Sequence, residues 1–152
     1  FFFKHKTASE MLRSLVGSEM CIRDRNIICA LPALWVGLLY DGESQSEAYN
    51  LAKPLMNTNL LEEGRISAAK FGLGGKLGNK SIQDIALEML TISSSGLARR
   101  NQLDNRGMDE RQFLDPLFDI VKNKQTGAEK LLQKYKNSWN GNINKIFTDN
   151  AF

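Results

Sequence analysis

At 152 residues, with 42% apolar and 24% charged side chains, the chain has the size and make-up of one globular domain or a piece of a larger one. Its formal charge of +3 owes much to residues 1–25; without their five Lys/Arg and three acids, 15 basic and 14 acidic residues remain, too even a balance to draw nucleic acid or an anionic membrane. Beyond residue 25 there is no histidine and a single cysteine, Cys29, which excludes a disulfide framework, a His-based catalytic site and a Cys/His zinc site within that stretch.

The opening, FFFKHKTASEMLRSLVGSEMCIRDR, does not scan as a secretory signal. Phe1 to Phe3 precede the charges, and Arg13 and Ser14 interrupt the later apolar residues Met11, Leu12, Leu15 and Val16. The segment resembles the conceptual translation of sequencing-adapter DNA, most specifically in SLVGSEMCIRDR. Residues 1–25 are therefore read as a non-native artefact, with Phe1 to Phe3 exposed, and residues 26–152 as the unit that folds.

From Ile27 to Tyr40 the chain is almost wholly apolar, yet this run of about 14 residues is short of the roughly 20 needed to cross a bilayer. It reads as a fully buried element, with Pro32 in the first turn of a helix running to about Tyr40. Ser44 with Glu47 spells a capping box and starts a second helix, which Pro54 interrupts. A short helix follows from Leu60 to about Lys70. FGLGGKLGNK, with glycines at 72, 74, 75 and 78, reads as a loop. Ser81 with Asp84 caps the next helix, whose apolar stripe is Ile82, Ile85, Ala86, Met89, Leu90 and Leu97; Gly96 weakens its last turns. Asp109 with Gln112 starts another, facing inward with Phe113, Leu114, Leu117, Phe118 and Val121, and Pro116 bends it or moves its start. Thr126 with Glu129 opens a helix that buries Leu131, Leu132, Tyr135 and Trp139. A last turn carries Ile143, Ile146 and Phe147. The expected fold is thus a mainly α-helical piece without evident strands.

Few residues point to chemistry. Gly75-Lys76 mimics a phosphate loop, but Leu77 stands where the motif needs Ser or Thr, and no glycine lies five positions before Gly75. The carboxylate pairs Glu62-Glu63, Asp84/Glu88 and Asp109-Glu110 read as solvated surface, and no metal site is expected in residues 26–152. Arg99-Arg100 suits the negative end of a helix dipole. Trp35, Tyr40 and Asp41 close the most apolar segment; they are either core or the wall of a substrate pocket. Cys29 is a packed small hydrophobe, or a redox-sensitive thiol if accessible.

CALPALWVGLLYD resembles the C-terminal part of glutamate–cysteine ligases of the proteobacterial and plant type. The resemblance continues in IQDIALEMLTISSSGLARR, with Gly96, Leu97 and Arg100 on a G-L-x-x-R pattern, and in FLDPL. It ends with Thr126, Ala128, Glu129, Leu131, Leu132, Tyr135, Trp139 and Gly141 on T-x-A-E-x-L-L-x-x-Y-x-x-x-W-x-G. It implies a parent enzyme of α+β, glutamine-synthetase-like fold acting in glutathione biosynthesis, with ATP and Mg2+ as cofactors and glutamate, cysteine and ATP as partners. It implies a cytoplasmic setting, or a plastid one in a plant-like source, with neither nucleic acid nor membrane as partner. The family's metal-binding acids and phosphate-facing arginines lie upstream, and the M-R-G-A-D motif expected just before Cys29 is replaced by IRDRNII. Residues 26–152 are accordingly expected to be the inactive tail of a ligase. Relatives in plants use cysteines for redox control, and the resemblance makes Cys29 the candidate here. The residues alone equally allow a small helical interaction module without catalysis, or a peripheral membrane protein using residues 1–40.

Overall fold

The computed structural model describes Arg25–Asp149. The expectations for residues 1–25, exposure of Phe1 to Phe3 included, lie outside the described residues except for Arg25, which opens the first helix. The described residues are mainly helical. The helices are α1 (Arg25–Leu39), α2 (Gly42–Ala52), α3 (Thr58–Phe71), α4 (Ile82–Arg100), α5 (Asp115–Asn123), α6 (Gly127–Asn137) and α7 (Lys145–Asp149). Short 3-10 turns occupy Lys53–Leu55, Gly72–Gly74 and Glu110–Leu114.

The bundle is built on α1 and α4, which pack along each other more extensively than any other pair; α2, α5 and the Glu110–Leu114 turn close around them. Ala33 of α1, Leu90 and Leu97 of α4, Leu114 and Val121 are the buried centre, with Leu34, Leu87, Leu117 and Phe118 packed against it. Full burial of a Leu or Val side chain is worth about 1.5–3 kcal/mol, so this small cluster carries much of what holds the helices together.

The helix starts follow side-chain capping. Asn57 caps α3 by accepting from the N–H groups of Asn59 and Leu60. Ser81 caps α4 at Asp84 N. Thr126 and Glu129 form a reciprocal capping box for α6. Pro54 ends α2 in a 3-10 turn, and Pro116 sits in the first turn of α5, where its missing N–H costs nothing, so the proline moves the start of that helix.

Several expectations are corrected. Pro32 lies inside α1, which begins seven residues earlier at Arg25. The run Ile27–Tyr40 is buried on one side only: Ala30, Ala33, Gly37 and Leu38 face the bundle, while Ile28, Leu31, Trp35, Leu39 and Tyr40 face outward. Ser44 does not cap α2; Asp41 does, and Ser44 lies buried in the helix's first turn. The glycine loop is not strandless, since Lys76–Leu77 and Lys80–Ser81 pair antiparallel. Gly78 takes a positive φ of 61° in the turn between them, a conformation that costs glycine nothing. Of the residues expected inward on the later helices, Leu114 and Trp139 are buried, whereas Phe113, Leu132, Ile143 and Phe147 are exposed.

Candidate functional site

A polar cluster lies where α1 ends, the chain turns by 97°, and α2 begins against the last turns of α4. Asp41 sits at the corner with extended backbone (φ −125°, ψ 123°), which directs its carboxylate at the exposed N–H groups of α2. Its Oδ2 accepts from Ser44 N at 2.8 Å and from Arg99 Nε and Nη2 at 2.9 and 2.6 Å. The Ser44 hydroxyl accepts from Arg99 Nη2 at 2.7 Å and donates to Ile92 O at 3.1 Å. Glu43 lies 3.4 Å from Arg99 Nη1. The Arg99 guanidinium, helped by the Ser44 N–H, holds the Asp41 carboxyl at about 2, below its ordinary 3.8. Arg99 is stabilised as a cation in return.

This corner exists because α1 and α4 touch main chain to main chain. Gly37 and Gly96 face each other, and a Cβ on Gly96 would collide with the Gly37 carbonyl oxygen and the Ser44 hydroxyl. Ser93, fully buried, donates to Leu34 O at 2.9 Å. The run Ser93–Gly96 on an otherwise large-residue stripe thus marks a close helix crossing. Gly96, expected to weaken α4, instead sets how near α1 can come.

One step outward, Arg100 stacks its guanidinium 5.5 Å from the centre of the Tyr40 ring and bonds Glu110 at 3.1 Å. Tyr40 is 72% exposed and Trp35 53% exposed. The reading of these two aromatics as core is corrected: neither has a covering element among the described residues. Cys29 is exposed, so the packed-hydrophobe reading fails and the thiol is accessible. Of the pocket candidates Trp35, Tyr40 and Asp41, Asp41 is bound into the ion pair and Tyr40 lies beside Arg100, while Trp35 and the separate redox candidate Cys29 are exposed on α1.

The carboxylate pairs are engaged elsewhere. Glu62 pairs with Arg65, Glu88 with Lys80, Asp109 with Arg111 and Glu110 with Arg100. Among the described residues no three of His, Cys, Asp and Glu come together as a metal site, so these residues do not fit Mg2+. The Gly72–Gly78 stretch is a turn and hairpin resting on α3, where the Ser67 hydroxyl accepts from Lys76 N at 2.9 Å. Among the described residues no single helix is long and apolar enough to cross a membrane. Local sequence pattern does not reveal the roles of Ser44 and Arg99: it marks the first as a cap and the second as a dipole partner. The signal for both was Asp41, an acid placed directly after an apolar helix.

A sequence model of glutamate–cysteine ligase family 2 matches residues 23–149. The chain belongs to this family. It is 33% identical over 122 residues to glutamate–cysteine ligase A, chloroplastic, of Oryza sativa subsp. indica, covering 80% of this chain and 23% of that protein. To glutamate–cysteine ligase, chloroplastic, of Arabidopsis thaliana it is 31% identical, covering 80% and 22%. The Solanum lycopersicum enzyme of the same name is 30% identical over 122 residues. The chain thus spans less than a quarter of the length of these ligase relatives. The matched family stretch contains α1, the Asp41–Arg99 corner and the Gly37–Gly96 crossing.

Proposed function

We propose that this chain is the helical C-terminal portion of a glutamate–cysteine ligase and is inactive by itself. In the whole enzyme the γ-carboxylate of glutamate takes the terminal phosphoryl group of ATP, releasing ADP. The amine of cysteine then attacks the acyl phosphate, forming the amide as phosphate leaves. ATP and Mg2+ act in the part of the enzyme that this chain does not hold, and the setting is the cytoplasm or, as the names of the plant relatives suggest, a plastid.

The observation that carries this reading is the family match across nearly all the described residues, combined with coverage of under a quarter of the relatives. Alongside it, the described residues offer an ion-paired scaffold at the Asp41–Arg99 corner. Within this reading Asp41 is a positioning residue that fixes the α1–α2 corner through Arg99. Trp35 and Tyr40 are candidates to face substrate-bearing parts of the enzyme. Cys29 is the candidate redox thiol; an unchanged response to reductant in a ligase carrying Cys29→Ser would remove it.

The test replaces the matched 122-residue stretch of the rice ligase with residues of this chain and measures ADP release dependent on both glutamate and cysteine. The chimera is expected to release ADP, and the 152-residue chain to release none. A soluble chimera without activity would favour the rival reading, a helical interaction module. Turnover by the chain alone would end the claim that it is only a scaffold.

A further inference from the structure

We infer that the outer face of α1 is the seam on which the remainder of the ligase chain seats. This rests on the ligase reading for the identity of the covering partner. Ile28, Leu31, Pro32, Trp35 and Leu39 recur at i, i+3, i+4, i+7 and i+11, which places them along one line of the helix. All five are exposed, Leu31 at 55% and Leu39 at 51%. The opposite side, Ala30, Ala33 and Gly37, is buried against α4. Between Ile27 and Leu39 there is no charged side chain on either side.

A helix apolar all round belongs in the interior of a larger body. Scattered apolar residues on a surface need no explanation, but a continuous stripe that includes a tryptophan is the composition of a buried interface centre. What covers it follows from length. The ligase relatives are more than four times as long as the aligned stretch, so most of such a protein lies beyond these helices and must meet them somewhere. The other sides of the bundle are less suited. The outer side of α3 carries the Glu62–Arg65 pair beside Leu61 and Ile66, and α6 presents Lys130, Lys134 and Lys136. Among the described residues the α1 face alone combines an aromatic anchor with an absence of charge, so that burying it desolvates no ion.

Hydroxyl-radical footprinting read by mass spectrometry tests this on Trp35. The 152-residue chain and the rice chimera are compared, with Tyr49, exposed on α2, as the internal reference. Trp35 is expected to oxidise readily in the free chain and about tenfold more slowly in the chimera, as in the dry centre of an interface, while Tyr49 changes little. Equal Trp35 reactivity in both overturns the seam. So does protection in the free chain that grows with its concentration, which would make a second copy the occupant. Should the chimera fail to accumulate, the same measurement on the chain mixed with rice ligase lacking its matched stretch decides, and absence of protection there overturns the seam. Protection without ADP release leaves the seam standing and the catalytic reading fallen; ADP release without protection does the reverse.

Discussion

Asp41 shows how one carboxylate joins three elements. It caps α2, holds Arg99 at the end of α4, and lies directly after α1. Because its folded form ionises at about 2 and a free aspartate at 3.8, the folded protein binds fewer protons between those values. Its contribution is therefore intact above about pH 4 and is lost as pH falls towards 2. Asp104 adds to the same window: the N–H of Met108, then the Arg106 guanidinium, lower it to about 2. Asp41→Asn should lower the urea midpoint at pH 7 and flatten its fall between pH 4 and pH 2; an unchanged slope would show that Asp41 does not act through its charge. Glycines give a second contrast at this scale. Gly96→Ala should cost about 1–3 kcal/mol by forcing α1 and α4 apart. Gly42→Ala, with open space at its Cβ, should be neutral or stabilise by up to about 1 kcal/mol, both read by urea denaturation.

At the scale of elements, what the sequence announced was local. The caps at Ser81 and Thr126 and the proline stop at Pro54 were legible because each acts on a neighbour within four residues. What it hid was tertiary. Ser44-x-x-Glu47 matches a capping box, but Asp41, three residues earlier, binds both α2 and Arg99 and so takes the cap, leaving the serine to the distant Ile92 carbonyl. No local pattern foretold that Gly96 would meet Gly37. α6 packs only lightly on the bundle, and its capping box is its own main support. Thr126→Ala should cost about 1 kcal/mol. The loss should appear as faster hydrogen exchange across Gly127–Asn137, with Ile82–Arg100 unchanged. A uniform acceleration in both helices would instead mean that α6 unfolds together with the core.

For the molecule as a whole, the fold class was legible and the candidate site only partly so. Periodicity identified a helical body, and two motifs far apart in the chain located the family. The α1 run looked fully buried because its composition is that of an interior helix; the described residues supply partners for one side only. Trp35→Glu should therefore leave the stability of the 152-residue chain within about 0.5 kcal/mol, as for an exposed site, in a thermal melt. The same change should reduce binding of a dye that reports exposed apolar surface. A large loss of stability would show that Trp35 is covered in solution.

The Gly37–Gly96 crossing has a mechanical consequence. Where side chains meet, a change of rotamer can absorb a small displacement; where two main chains meet, nothing yields. A displacement of α1 across this crossing therefore has no side chain to absorb it before it meets α4. It emerges one turn beyond Gly96 at Arg99 and Arg100, the residues that grip Asp41, Tyr40 and Glu110. Movement of α1 relative to α4 is therefore expected to register first at that corner, which lies beside the crossing.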